Sequence, residues 1–188
     1  MTYLLSIDPG VSSGVVLGQY TKTEPYTPIK SWQLSGGLTG ATKFLDTHYS
    51  GLTWGWVVKG RPYYPVTVIC EKFVPLNNKG FGHTLKSVEP LRIEGALIAL
   101  GIMPEYLPEH YDVWPRPASM YFMGGANKRE KLQRSRAWLK EHGLLLTGKD
   151  VGQADADDAI SATLHAFAYL LHQRHRPTMK HYKIGVNI

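Results

Sequence analysis

The chain is short of the features that mark several common protein classes. Cys70 is the only cysteine among 188 residues, which excludes a disulfide framework and a cysteine zinc site. It ends the apolar run Val66-Thr67-Val68-Ile69-Cys70 and reads as a buried thiol. No stretch approaches the roughly 18 apolar residues of a membrane span. Tyr3-Leu4-Leu5-Ser6-Ile7 is too short for the apolar part of a signal peptide and runs straight into Asp8. There is no internal repeat, no low-complexity tract and no Walker A phosphate loop. A cytoplasmic protein without a membrane partner is expected.

Acidic residues are scarce in one stretch. Between Pro115 and Lys149 stand eight basic residues: Arg116, Lys128, Arg129, Lys131, Arg134, Arg136, Lys140 and Lys149. Only Glu130 and Glu141 oppose them. The local excess therefore equals the formal net charge of the whole chain, +6. A clustered excess of that kind suits a polyanionic partner, although a solvated helix face gives the same pattern.

Hydrophobic residues make up 43% and charged residues 19%, a globular balance for one domain with a full core. Met1 to Asp8 is apolar on both faces and reads as a central strand. Gly14 to Tyr20 and Pro28 to Leu34 read as two more strands in an antiparallel meander. Apolar residues at Leu38, Ala41, Leu45, Tyr49, Leu52 and Trp56 predict a helix, and Lys59 to Pro65 a loop. Val66 to Glu71 is a β-branched, buried strand, and Asn77 to Gly82 a loop. A helix over Thr84 to Leu100 contains Pro90, which marks a kink or a late start. Tyr111 to Trp114 reads as a short strand. Asn127 to His142 and Ala154 to His172 read as helices, and Arg174 to Ile188 as a polar, basic tail. The fold class expected is α/β: a mixed five-stranded sheet, three strands antiparallel and then two parallel, flanked by helices. The domain would span 1–173, with 174–188 as its tail.

Four carboxylates stand out on these elements. Asp8 closes the first strand and Glu71 the fourth. With a side-chain period of two, Leu4, Ser6 and Asp8 share one face, as do Thr67, Ile69 and Glu71. If the two strands are parallel neighbours, both acids lie at the edge where open α/β sheets bind ligands. Asp155 and Asp158 are three apart and share a face at the start of the last helix. Ala159, Ala162 and Ala166 lie on that side and permit close approach to the sheet. Ile160, Leu164, Phe167 and Leu171 form the opposite stripe, which must bury against another helix or a second subunit. Asp157 points elsewhere and reads as a helix-start charge favoured by the dipole.

Plainer roles exist for some of these groups. Asp8-Pro9-Gly10 is a common turn, and Asp155 and Asp158 suit a helix cap and first turn. Together, however, four carboxylates repel one another unless cations neutralise them. Oxygen ligands suit Mg²⁺ or Mn²⁺. Two such ions about 4 Å apart serve phosphodiester hydrolysis, with Asp8 bridging them.

Three pieces of sequence carry a resemblance: Ser6-Ile7-Asp8-Pro9-Gly10, Ile69-Cys70-Glu71, and Gln153-Ala154-Asp155-Ala156-Asp157-Asp158-Ala159. They resemble the RuvC-type Holliday junction resolvases of the RNase H-like superfamily, over roughly Thr2 to Leu171. The resemblance implies an RNase H-like fold and metal binding by Asp8, Glu71, Asp155 and Asp158. It implies a crossover junction endodeoxyribonuclease of recombination and repair. Such an enzyme works as a homodimer that nicks two opposing strands of a four-way junction, leaving 5′-phosphate and 3′-hydroxyl ends. Lys128, in Gly124-Gly125-Ala126-Asn127-Lys128, matches a basic residue before the penultimate helix, and Arg92 matches a family arginine. DNA contacts are expected from these two and from Arg129, Lys131, Arg116, Lys72 and Phe73, with Phe73 or Phe81 as the aromatic that wedges into the junction. A lysine the family often places before Gly124 has no counterpart in Pro117-Ala118-Ser119-Met120.

The residues support part of this independently. Asn127 and Glu130 form a capping-box-like pair. Lys128 and Arg129 in that first turn oppose the helix dipole, and a phosphate at the helix start would offset the cost. A helix-surface salt bridge is the plainer role for Arg92. Alternative functions are an RNase H-like nuclease acting on RNA–DNA hybrid or RNA, and a non-catalytic DNA-binding subunit. An actin-like kinase needs two related domains, for which 188 residues are too few.

Overall fold

A computed structural model describes residues 1–50, 55–58, 61–63, 66–71, 85–106, 127–145 and 157–184. The chain is mixed α/β. Its sheet has four full strands: β1 (Thr2–Asp8), β2 (Ser12–Tyr20), β3 (Thr27–Ser35) and β7 (Val66–Cys70). The order is β3-β2-β1-β7, extended at its edge by the two-residue β8 (Glu105–Tyr106). β1, β2 and β3 are antiparallel neighbours, and β7 runs parallel to β1. Among the described residues the sheet therefore has four full strands, not five, and its fifth position is held by two residues only. Tyr111 to Trp114, expected to supply that strand, lies outside the described residues.

Five helices are seen among the described residues: α1 (Gly37–His48), α2 (Leu85–Ala99), α3 (Lys128–Glu141), α4 (Asp157–His172) and α5 (Arg176–Tyr182). The helix expected to run to Trp56 stops at His48. A small separate sheet follows instead: β4 (Tyr49–Ser50), β5 (Gly55–Val58) and β6 (Arg61–Tyr63). Gly51 and Gly55 weaken helix, while Trp56-Val57-Val58 favours strand. The apolar spacing through Leu52 and Trp56 is thus a coincidence of period. Part of the loop expected at Lys59 to Pro65 is strand, because Arg61–Tyr63 pairs antiparallel with Gly55–Val58. Pro90 sits inside α2, where it removes one backbone donor.

The period-two alternation of β1 and β7 sorts the core into two layers. Leu4 and Ile69 pack with Ile160, Leu164 and Phe167 on the α4 side. Leu5, Ile7, Val68 and Cys70 pack with Phe44, Leu45 and Leu97 on the α1 and α2 side. Residues Ala159 to Leu171 of α4 are all buried, as a helix with apolar residues around its whole circumference requires. Its first turn sits directly on β2 at Gly14, where an added Cβ would lie 1.9 Å from the Asp158 carbonyl oxygen. A glycine is obligatory for that approach.

The bulky stripe of α4 is covered within the chain. Ile160, Leu164 and Phe167 pack with Leu132 and Leu139 of α3, and with Tyr182 and Ile184. That stripe therefore gives no support to a dimer. The segment read as a polar tail carries α5, whose docking relies on Tyr182, Ile184 and part-buried Met179. Three apolar residues are too few to announce a helix by period. No helix among the described residues is long and apolar enough to cross a membrane.

Candidate metal centre

Alternation along β1 puts Asp8 on the α4 face with Leu4 and Ser6, and β7 carries Glu71 to the same face beyond Ile69. The two strands are parallel and in register, with Ile7 opposite Cys70, and the Glu71 N–H donates to the Ile7 carbonyl at 3.3 Å. Both carboxylates thus end adjacent strands at one sheet edge.

The third member is His165, which the sequence reading missed. His165 Nε2 lies 3.6 Å from Asp8 Oδ1 and 3.9 Å from Glu71 Oε2. One ligand atom from each of the three lies within 4.8 Å of the others. The imidazole is 2% exposed, while the carboxylates keep 17% and 26%. The signal was available: His165 follows Asp158 by seven residues, two helical turns, and so shares its face.

These separations exceed ordinary hydrogen-bond length. Ligands about 2.1 Å from an octahedral Mg²⁺ ion stand roughly 3–4 Å apart. The donor set therefore fits a small divalent cation after slight contraction. Two carboxylates suit Mg²⁺ or Mn²⁺, and the nitrogen donor shifts preference toward the transition metal. Negative potential gathers here: burial first, then the charges of Glu94, Asp8 and Glu71, push the Cys70 thiol well above its usual range. Cys70 is consequently a protonated, inert thiol, as its apolar run implies.

Asp158 lies in the first turn of α4 above Gly14, and Gly14 pairs with Asp8 across β1 and β2. Its carboxylate does not join the three-residue cluster. Instead, Oδ2 accepts a hydrogen bond from the Gln33 side-chain amide on β3. Gln33 also donates to the Ser12 hydroxyl. Asp155 lies outside the described residues. Exposed Asp157 pairs with Arg136 of α3 at 3.3 Å, in keeping with a helix-start charge.

The basic residues divide. Asn127 caps α3, its Oδ1 accepting from the Glu130 N–H at 2.9 Å. Lys128 is the first residue of that helix and Arg129 is exposed beside it. Lys131 lies in the same helix, and the side chains of Lys128 and Lys131 are outside the description. Arg134 pairs with Glu130. Arg92 makes the helix-surface ion pair, at 2.9 Å to Glu89, with half of its side chain exposed. Glu89 is buried and accepts the Leu38 N–H. That backbone bond above all, and then Arg92, holds its carboxyl below the usual range despite the cost of desolvation. Lys72, Phe73, Phe81 and Arg116 lie outside the described residues.

No protein-family model and no curated protein matches the chain. Among solved structures, it is similar to T. thermophilus RuvC in complex with a Holliday junction substrate. That likeness has 16% identity and a TM-score of 0.46, over 92% of this chain and 97% of the other. It is also similar to a Thermus thermophilus RuvC structure, at 13% identity and TM-score 0.43, over 91% and 96%.

Proposed function

We propose that the chain is a metal-dependent, structure-selective DNA endonuclease of RNase H-like type that resolves Holliday junctions or other branched DNA. The observation that carries this reading is the convergence of Asp8 and Glu71, ending two parallel strands, with His165 from the helix across that face. Asp158 sits above Gly14, which pairs with Asp8, and Asp155 stands three residues before it in the sequence. Bound Mg²⁺ or Mn²⁺, two ions per site, would supply an activated water and stabilise the leaving oxygen of a phosphodiester.

The chain's own groups have separable tasks. Asp8 would hold the metal beside Glu71 and His165. Glu71 and Asp158 flank it, and Asp155 completes the acidic set. Buried His165 would supply the nitrogen donor of the set. Lys128 at the start of α3 holds a phosphate as a point charge, assisted by Arg129 and Lys131. Arg92, Arg116, Lys72 and the aromatic Phe73 contact the junction arms. A homodimer presents two such sites to opposing strands.

The test is direct. Purified protein is incubated with Mg²⁺ and a synthetic four-way junction, a linear duplex or an RNA–DNA hybrid of the same sequence. Paired nicks in the junction, with 5′-phosphate ends and an intact duplex, are expected. Preferential cutting of the hybrid would transfer the reading to an RNase H-type activity. Binding without cleavage in either metal would reduce the chain to a DNA-binding subunit.

A further inference from the structure

We propose that Gln33 is a positioning residue for Asp158, an inference that rests on the nuclease reading above. Asp8, Gly14 and Gln33 form one row across β1, β2 and β3. The middle member has no side chain, and the first turn of α4 settles on it. That brings the Asp158 carboxylate within reach of the third member.

The Gln33 amide nitrogen donates to Asp158 Oδ2 and to Ser12 Oγ. A side-chain amide nitrogen has two hydrogens and no acceptor capacity, so both are used. The orientation is not exchangeable. Turning the amide over would set its oxygen against a carboxylate with no proton between them. The Gln33 carbonyl oxygen is buried and has no hydrogen-bond partner among the described residues. An acceptor left in that state costs free energy. A charge-assisted bond to a carboxylate offsets it, and an orientation kept at such a cost is set by its donor end.

The bond fixes the side-chain rotamer of Asp158 and occupies one oxygen. Oδ1 accepts no hydrogen bond among the described residues, which leaves it for a cation. Metal-binding carboxylates are commonly oriented by such partners, and losing one typically weakens metal binding about 10–100-fold. Gln33 touches neither substrate nor metal in this scheme. It acts through Asp158.

The experiment is a double-mutant cycle on the full chain, read as Mn²⁺ affinity by titration calorimetry. The variants are Gln33→Met, which keeps length and removes both donors, Asp158→Asn, and the pair. Gln33→Leu stands in if the methionine variant melts early. Gln33→Met alone should weaken Mn²⁺ binding about 10–100-fold. In the Asp158→Asn background it should weaken binding no further, because nothing remains to be oriented. An equal loss in both backgrounds, or none in the first, overturns the role of Gln33 while leaving the metal centre standing. Wild-type affinity in Asp158→Asn removes Asp158 from the centre, and the proposal falls with that assignment.

Discussion

The two ends of the central sheet handle buried polar groups in opposite ways. At the start of β1, backbone and side-chain groups pair at ordinary length, although the buried Tyr26 hydroxyl has no hydrogen-bond partner among the described residues. The Tyr26 N–H donates to Thr178 Oγ1 and the Tyr26 carbonyl accepts from the Tyr182 hydroxyl, each at 2.8 Å. His175 bridges Thr178 Oγ1 and the Thr21 carbonyl at 2.7 and 2.8 Å. That end is a clamp that fastens α5 to the sheet. At the finish of β1, Asp8 and Glu71 crowd against a buried imidazole at 3.6 and 3.9 Å. Like charges held together there work against folding. The first end fastens one element to another, and the second gathers acidic groups that a bound cation would draw together.

The sharpest way to break this contrast is to neutralise one acid. Asp8→Asn or Glu71→Gln should lower Mg²⁺-dependent junction cleavage by about 10³-fold or more, as the loss of several kcal/mol of metal assistance requires. The same variants should melt no lower than the wild type, since a repulsion is removed. Cleavage within tenfold of wild type, or a clearly lower melting temperature, would make these acids structural.

Gly14 couples the site to the fold, and its substitution tests whether the coupling is needed. In Gly14→Ala the new methyl group would meet the Asp158 carbonyl at 1.9 Å, so α4 must move away. Overpacking of this sort costs about 1–3 kcal/mol. Cleavage should fall further than that loss of folded protein explains, because His165 and Asp158 ride on the displaced helix. Activity that merely tracks the folded fraction would show that the position of α4 on β2 does not govern the site.

The clamp end should behave in reverse. Thr178→Val leaves the Tyr26 N–H buried and unmet, and Tyr182→Phe does the same to the Tyr26 carbonyl. Each should cost about 1–3 kcal/mol, seen as an earlier urea midpoint. Cleavage per folded molecule should not change. A loss of cleavage at full stability would mean that α5 reaches the functional surface.

What could be read beforehand follows the same divide. The alternation of β1 and β7 set Asp8 and Glu71 on one face, and the register of the parallel pair bears that out. The small face of α4 foretold close packing on the sheet, which Gly14 makes physically possible. The helix expected over Asn127 to His142 has those two residues as its caps. His165 adds no acid to the pattern of α4, although its seven-residue spacing from Asp158 places it on the same face. The Gln33 contact joins positions 125 residues apart, and no local period encodes such a pair. The helix α5 was equally hidden, since its anchoring hydrogen bonds reach back more than 150 residues to the turn before β3. The small sheet after α1 was masked by an apolar spacing that suits a helix while its glycines do not.

The smallest expected effect lies away from both ends, at Glu89. Its carboxyl anchors the start of α1 through the Leu38 N–H, and Gly37, at φ +56°, leaves room where a Cβ would strike the carboxylate. Because the folded state holds this acid below its ordinary value near 4.5, the stability it adds is fully present above that value. It is lost as pH falls through the lowered folded value, where the native state must take up the proton. Glu89→Gln should therefore lower the melting temperature at neutral pH and flatten the acid limb of the curve below about pH 4.5, as the linkage requires. Arg92 adds less: its partly solvated pair is screened, and Arg92→Met should change stability by about 1 kcal/mol at most. An acid limb that stays as steep in Glu89→Gln would mean that this carboxyl does not set the acid sensitivity of the fold.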